Sequence, residues 1–258
     1  TFAMSLESLQ LTGKTVLVTG GNGGIGLGMA RALAKSGANV GIWGTNPRKN
    51  AAAEQEVSSF GTKCKSIICD VSDESAVKDA FSESMELSGQ IDVCFANAGS
   101  GGSAPFHEFP TDLWRKVISI NLDGTFFTFR EAAKHMIKKG QGGRLIATSS
   151  TAAIHGAPMS EAYAAAKGGI LSMVRGLAVE LARHRITANT IIPGWIDTDM
   201  TSRRVGDPKF EDRVMRRVPL RRWGTPEDFA GLAVYLASDA SEYQTGEEFV
   251  VDGGYTRF

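Results

Sequence analysis

The chain has 258 residues, which is long enough for one large α/β domain with a buried core. Its 28 basic and 28 acidic side chains cancel, so the sequence has no electrostatic footprint for nucleic acid or an anionic membrane. No apolar run approaches the ~20 residues of a membrane-spanning helix, and the four scattered histidines lack zinc-ligand spacing, so we expect no metal site.

The cysteine content indicates a reducing compartment. There are three cysteines, Cys64, Cys69 and Cys94, and the last two lie in apolar, strand-like runs. A free thiol in such a run behaves as a small hydrophobic side chain. A small and odd number of cysteines argues against a disulfide framework, and we therefore expect a cytoplasmic protein.

The first recognisable unit is a strand, a glycine-rich turn and a helix. Thr15–Val18 predicts a buried strand, and the apolar spacing of Leu27–Lys35 predicts a helix. Glycines between them would let the backbone approach a pyrophosphate, which the helix N-terminus would bind through its free N–H groups. A plain glycine-rich loop is the alternative. The residues expected to bind a dinucleotide here are Gly20, Asn22, Gly24, Ile25 and Gly26.

The end of the second strand, Val40–Trp43, bears on the choice of cofactor. An NAD-binding unit usually places an acidic residue here, against the ribose 2′-hydroxyl, and none is present. Instead Thr45 and Asn46 offer hydrogen bonds, and Arg48 and Lys49 offer positive charge, which suits a 2′-phosphate. The two cations could equally be solvated at a helix start. NADP(H) is favoured, and NAD(H) stays possible.

The third strand, Ser66–Cys69, delivers Asp70 to a turn before a polar helix over Asp73–Leu87. Asp70 either caps this turn or accepts a hydrogen bond from an adenine amino group. The fourth strand, Ile91–Ala96, leads into the polar and small residues of Asn97–Gly99.

A long helix is predicted over Thr111–Lys139, with Asn121 in its interior. Asparagine is a poor residue for a helix interior. Asn121 is therefore either a satisfied buried amide or the site of a functional kink.

Tyr163 and Lys167 stand four residues apart in a predicted helix, Glu161–Ala182, and so share one face. An ammonium group beside a phenol lowers the phenol pKa from ~10 towards the range useful for proton transfer. Ser150, thirteen residues before the tyrosine, is expected to hold a substrate oxygen, while Ser149 faces the other way. A chance pair of a packed tyrosine and a solvated lysine is the alternative.

Strands and helices alternate to the end of the chain. Further strands are predicted at Arg144–Thr148, Thr187–Ile192 and Glu248–Val251, and helical segments at Met200–Arg217 and Pro226–Ala237. The pattern predicts one domain over residues 1–258, an α/β fold with a doubly wound parallel sheet and helices on both faces. Residues 1–12 form an extension and residues 198–224 a substrate lid. Ligands of such sheets bind outside the carboxyl ends of the strands, where the motifs should converge.

Together these motifs resemble the short-chain dehydrogenase/reductase family, from Gly13 to the C-terminus. The matching residues are Thr19, Gly20, Gly24 and Gly26 in the glycine turn, Asp70-Val71, Asn97-Ala98-Gly99, and Pro193-Gly194 after the sixth strand. Two positions depart from the family pattern. Ala96 stands where an asparagine usually precedes Asn97, and Gly23 stands where other NADP(H) users of the family commonly have a basic residue.

The resemblance implies roles for individual residues. The catalytic tetrad maps onto Asn121, Ser150, Tyr163 and Lys167. Lys167 would also hold the nicotinamide ribose beside Tyr163, and Asn121 would anchor a proton-relay water. Asp70 and Val71 would meet the adenine, and the loop after Pro193-Gly194 would bind the nicotinamide carboxamide through Ile196 and Thr198. Family members are commonly homotetramers that pair their long helices and last strand; a homodimer stays possible.

The expected activity is NAD(P)(H)-dependent interconversion of a secondary alcohol and a ketone on a sugar, polyol, keto acid or cyclic ketone. A 3-oxoacyl-[acyl-carrier-protein] reductase is the alternative, and a catalytically silent nucleotide-binding sensor is disfavoured because it needs no activated phenol. Trp195 either walls the substrate pocket or packs under the lid. The expected pocket residues are Thr151, His155, Trp195 and Met200.

Overall fold

The computed structural model describes residues 6–202 and 204–257, which contain a seven-stranded sheet in the order β3-β2-β1-β4-β5-β6-β7. Every neighbouring pair of strands is parallel, as the doubly wound prediction requires. The strands are β1 (Thr15–Thr19), β2 (Asn39–Gly44), β3 (Cys64–Ile68), β4 (Val93–Ala96), β5 (Gly143–Thr148), β6 (Ile186–Pro193) and β7 (Glu248–Val251).

Helices cover both faces of this sheet. They are α1 (Gly24–Lys35), α2 (Pro47–Ser58), α3 (Glu74–Ser84), α4 (Thr111–Ile118), α5 (Gly124–Lys139), α6 (Glu161–Leu181), α7 (Pro208–Met215) and α8 (Ala230–Ala237). Buried side chains of α1, α2 and α8 form one core, and those of α3, α5 and α6 form the other. In β1, Leu17 points into the second core while Val16 and Val18 point into the first. Burial on both faces explains why Val16, Leu17 and Val18 form an uninterrupted apolar run.

The long helix predicted over Thr111–Lys139 is not continuous. A π-helical turn, Ser119–Asp123, separates α4 from α5, and the fully buried Asn121 lies at its centre. The Asn121 side-chain amide donates to the carbonyl oxygen of Val117 at 2.8 Å. A side chain that bonds the backbone one turn earlier competes with the helical ladder, which accounts for the break.

The helices predicted near the C-terminal end of the chain also need correction. The helical segment predicted over Met200–Arg217 is only the eight-residue α7, because Gly206 has a φ of +80° and interrupts the helical path. Asp207 then caps the new helix by accepting from the Lys209 amide at 3.0 Å. The helix predicted from Pro226 begins with a 3₁₀ turn and becomes α-helical only at Ala230.

The predicted N-terminal extension is partly integrated into the fold. Residues 1–5 lie outside the described residues, but Leu11 is fully buried, and its amide donates to the Ser36 carbonyl at 2.9 Å. No helix in the described part of the chain combines the length and apolar character needed to cross a membrane.

Candidate active site

The glycine turn, Gly20–Gly26, brings the start of α1 against the end of β1. A Cβ atom on Gly26 would lie 2.2 Å from the Gly20 carbonyl oxygen, so only glycine fits there. Gly23 precedes α1 and provides no side-chain cap for its first N–H groups. These N–H groups and the positive end of the helix dipole fit a pyrophosphate. The glycine turn and the start of α1 thus form a cradle for a dinucleotide.

Asn97 ties three strand ends together below this cradle. Its side-chain amide donates to the Thr19 carbonyl at 3.1 Å, and its side-chain oxygen accepts from the Thr148 hydroxyl at 3.1 Å. The Thr19 hydroxyl in turn accepts from the amides of Asn97 and Ala98, each at 3.0 Å. Sequence reasoning did not select Thr148; the available signal was a polar β-branched residue closing an apolar strand. Asn97 and Ala98 thus lie beside the cradle as part of its framework.

Lys167 is almost completely buried, at 3% exposure, and its ammonium donates to the Thr148 carbonyl at 2.8 Å. Burial lowers the pKa of Lys167 to about 8. Its Nζ lies 5.5 Å from the centre of the Tyr163 ring. The helix spacing therefore does bring the two groups together.

The pKa of Tyr163 shifts in the direction opposite to the sequence-based prediction. Burial raises the pKa of the Tyr163 phenol, and its hydrogen bond with the Ser150 hydroxyl offsets this in part. The net shift is therefore opposite in direction to the expected lowering, because desolvation of the phenolate is its largest cause.

The two adjacent serines separate as strand alternation predicts. The Ser149 hydroxyl is buried and donates to the Lys167 backbone carbonyl at 2.9 Å, whereas no such bond engages Ser150 in the described residues. Ser150 stays near Tyr163 and also accepts from the Ala152 amide at 3.2 Å. This second bond holds Ser150 at the start of the short turn Thr151–Ala153.

Asn121 reaches the same place from the π-helical turn. Its amide also donates to the Ser100 carbonyl at 2.9 Å, while its side-chain oxygen is buried without a hydrogen-bond partner in the described residues. A Cβ atom on Gly99 would lie 2.7 Å from that oxygen and 3.4 Å from the Lys167 ammonium. Asn121, Lys167 and the Gly99 backbone therefore border one small polar space.

Near the ends of β2 and β3, several predicted cofactor residues are engaged in local hydrogen bonds. The Asn46 side-chain oxygen caps α2, accepting from the Arg48 and Lys49 amides at 3.0 and 3.1 Å, and Thr45 is exposed beside it. Asp70 caps its own turn by accepting from the Ser72 amide at 3.0 Å and hydroxyl at 2.7 Å.

Three further predicted cofactor residues, Asn22, Ile25 and Val71, also make local contacts. Asn22 donates from its side-chain amide to the buried Asn50 side chain at 2.6 Å. Val71 is buried, and its side chain closely approaches Gly124 at the start of α5. Ile25 packs against the core on the α1 side of the sheet.

The loop after β6 returns towards the glycine turn. Gly194 packs so closely on the segment after β7 that a Cβ atom would lie 2.6 Å from the Asp252 Cβ. Ile196 is buried and forms an isolated bridge with Gly224. The Thr198 methyl group lies 3.2 Å from where a Gly24 Cβ would be. Pro193, Gly194, Ile196 and Thr198 thus form a loop that meets the cradle.

Comparison with known proteins agrees with this arrangement. The chain matches the family profile described as enoyl-(acyl carrier protein) reductase over residues 5–256. It is 39% identical to a 2-dehydro-3-deoxy-D-gluconate 5-dehydrogenase from Pseudoalteromonas atlantica, over 97% of this chain and 98% of the relative. It is 38% identical to a 3-oxoacyl-[acyl-carrier-protein] reductase from Chlamydia pneumoniae, over 96% and 99%. A gluconate 5-dehydrogenase from Burkholderia cenocepacia, solved with NADP and tartrate, is 34% identical with a TM-score of 0.93, over 98% and 99%.

The chain belongs to the short-chain dehydrogenase/reductase family. It is accordingly an NAD(P)-dependent oxidoreductase acting on CH–OH and C=O groups.

In this short-chain dehydrogenase/reductase, aromatic rings pack around Trp195, which follows β6. Trp195 packs edge-on against Phe210 of α7 at 5.0 Å between ring centres, against Trp223 at 6.1 Å and against Tyr255 at 6.3 Å. We call these four residues the aromatic cluster. Trp195 therefore packs against α7, in the segment predicted as the lid, and its indole N–H is buried without a hydrogen-bond partner in the described residues.

The other predicted pocket residues are distributed unevenly. Thr151 is buried directly after Ser150, and its carbonyl accepts from the His155 amide at 2.9 Å. The His155 ring packs edge-on against Tyr255 at 6.1 Å, which connects it with the aromatic cluster. Met200 is 57% exposed and is not packed into a pocket.

Proposed function

We propose that this enzyme interconverts a secondary alcohol and a ketone on a sugar acid or a related polyol, with NADP(H) as its preferred cofactor. The observation that carries the proposal is the convergence of Ser150, Tyr163, Lys167 and Asn121 at the carboxyl ends of β4 and β5. These four groups face the same edge of the sheet as the glycine cradle. That is the edge where parallel α/β sheets bind their ligands.

Each side chain has a role in the proposed reaction. Ser150 holds the substrate oxygen, and Tyr163 donates a proton to it in reduction or removes one in oxidation. Lys167, when charged, favours the phenolate form, and the free side-chain oxygen of Asn121 anchors a water that exchanges protons with bulk solvent. The nicotinamide, when bound, supplies or accepts the hydride.

The cofactor preference rests on the second strand end. No acidic side chain follows β2 in the stretch Gly44–Lys49, whereas Arg48 and Lys49 stand in the first turn of α2. A helix N-terminus with two cations favours a phosphate group. The relative from Burkholderia cenocepacia was solved with NADP, which supports the same preference. NAD(H) is the second cofactor.

The substrate class rests on the relatives. Two of the three named above act on gluconate or a gluconate derivative, and the third acts on an acyl-carrier-protein thioester. The 38% identity to that third relative makes 3-oxoacyl reduction the second candidate activity. The two differ in substrate size, so a direct assay separates them.

We extend the proposal to a homotetramer located in the cytoplasm, with a homodimer as the alternative. β7 is an edge strand of the sheet, and Phe126 of α5 and Val179 of α6 are 43% and 82% exposed. An unpaired edge strand and exposed apolar side chains on helices favour association with a second copy. The three free thiols agree with a reducing compartment. Light scattering of the purified protein measures the oligomeric state directly.

The first experiment follows nicotinamide absorbance with NADPH and NADH against keto-sugar acids, neutral keto-sugars and a 3-oxoacyl thioester. Tyr163→Phe is the control and should lower turnover by about 10²- to 10⁴-fold, the contribution expected of a positioned general acid or base. Turnover that persists in the variant would contradict the assigned role of Tyr163. Faster turnover of the thioester than of every sugar would favour the second activity.

A further inference from the structure

An ion pair bridges the two walls of the cofactor cleft at its outer end. The Lys49 ammonium, in the first turn of α2, contacts the Asp199 carboxylate, which follows Thr198 in the loop after β6. The same loop places the Thr198 methyl against the glycine turn near Gly24. The loop therefore extends from the nicotinamide end of the cleft to the strand end where the ribose 2′ position is expected.

The other polar groups at this edge are not in the same position. The Asn46 side-chain oxygen is committed to capping α2, and Arg48 is exposed and makes no ion pair within residues 6–202 and 204–257. Asp197, two residues before Asp199 on the same loop, is exposed and pairs with no cation in those ranges. Of the two cations that follow β2, only Lys49 is already neutralised by a carboxylate.

We propose that Asp199 is a cofactor-selectivity residue. Its carboxylate engages Lys49 and places a negative charge beside the site of the NADP(H) 2′-phosphate, so that it reduces the preference for NADP(H) over NAD(H). This inference rests on the proposed NADP(H)-dependent function and deepens it. In this proposal the acid that opposes the 2′-phosphate comes from the loop after β6, and no acid follows β2.

Exposure argues against a mainly structural role for this pair. The side chains of Lys49 and Asp199 are 50% and 82% exposed, and ion pairs this exposed contribute little to stability. A phosphate of higher charge would compete with Asp199 for Lys49, aided by the positive end of α2. NAD(H) carries only a neutral hydroxyl at this position, which does not compete with the carboxylate for Lys49.

The test measures equilibrium binding of NADPH and NADH to the intact protein by cofactor fluorescence at fixed ionic strength. Asp199→Asn keeps the shape of the side chain and removes its charge, and Asp197→Asn is the matched control on the same loop. We expect Asp199→Asn to lower the Kd for NADPH about three- to tenfold, the scale of one screened charge pair, without changing that for NADH. The control should leave the ratio of the two Kd values unchanged.

A second measurement uses cofactor fragments. Adenosine 2′,5′-bisphosphate should gain affinity in Asp199→Asn by the same factor as NADPH, while adenosine 5′-monophosphate should gain none. Lys49→Met should weaken NADPH binding and remove most of the gain from Asp199→Asn in the double variant.

Two results would overturn the inference. If Asp199→Asn weakens NADPH and NADH equally, the pair closes the loop over either cofactor and does not select between them. If Asp197→Asn shifts the ratio as much as Asp199→Asn, the effect comes from the general charge of the loop. Failure of the wild-type protein to bind either cofactor would instead contradict the proposed function itself.

Discussion

Two regions of the proposed active site are stabilised by different kinds of contact. We call the region of the glycine turn and Asn97 the cofactor side, and the region of the aromatic cluster the lid side. On the cofactor side the backbone of Gly26 packs against Gly20, and Asn97 bonds across three strand ends. On the lid side the contacts are between rings, with Phe210 against Trp195 and Trp223. Backbone contacts tolerate no added atom, whereas ring packing can adjust. The difference implies that the proposed cofactor site is determined by the backbone fold and the proposed substrate site by exchangeable side chains.

The strongest test of this comparison is Gly26→Ala. The new methyl group would lie 2.2 Å from the Gly20 carbonyl oxygen, so the turn must move. Overpacking of this kind costs about 1–3 kcal/mol, and we expect the displaced turn to lose most of its affinity for either cofactor. Thermal unfolding and cofactor binding measure the two effects.

Gly23→Ala provides the matched control for that variant. Gly23 lies three residues earlier in the same turn, has an extended φ of −176°, and has no atom within 4 Å of a new Cβ. Stability and cofactor binding should remain close to those of the wild type. Equal losses in the two variants would show that the turn needs flexibility, in contradiction of the close-packing explanation.

The sequence predicted the strand, glycine turn and helix of the first unit because their determinants are local. Gly20–Gly26 sits between a strand and a helix that are visible in the hydrophobic pattern, and each motif follows a strand end. Parallel pairing then brings those strand ends together without further information. For the π-helical turn, the only signal in the sequence was the poor helix propensity of Asn121. The orientation of the Asn121 side chain depends on its hydrogen bonds to the Val117 and Ser100 carbonyls, which the sequence does not reveal.

The lid side could not be predicted to the same extent. The aromatic cluster joins Trp195, Phe210, Trp223 and Tyr255, which come from four separate segments of the chain. No periodicity relates residues so far apart. The raised pKa of Tyr163 also depends on burial that the helix spacing does not reveal.

Lys167 lies between the cofactor side and the lid side, and its buried charge predicts how stability depends on pH. Its pKa is lowered by burial from 10.5 to about 8, so the folded chain disfavours the charge at neutral pH. Below pH 8 both folded and unfolded chains hold the proton, and the full cost, roughly 3 kcal/mol, is present. Between pH 8 and 10.5 only the unfolded chain retains it, so stability recovers as pH rises.

We therefore expect Lys167→Met to abolish turnover while raising the unfolding temperature at pH 7. The lost hydrogen bond to the Thr148 carbonyl offsets part of the gain, which leaves about 1–2 kcal/mol. The difference from the wild type should shrink towards pH 10. A variant less stable than the wild type at every pH would mean that the bond to Thr148 outweighs the cost of the buried charge.

The smallest expected effect is on the lid. Phe210→Ala removes the ring that packs on Trp195 at 5.0 Å and on Trp223 at 5.9 Å, which should weaken the packing of α7 by about 1 kcal/mol. We expect a several-fold rise in substrate KM and faster proteolysis within the lid, with unchanged cofactor affinity. Leu220→Ala, at a lid residue that is 65% exposed, should change neither quantity. An equal loss of cofactor affinity in Phe210→Ala would show that ring packing also positions Thr198, and that the two sides of the cleft act as one unit.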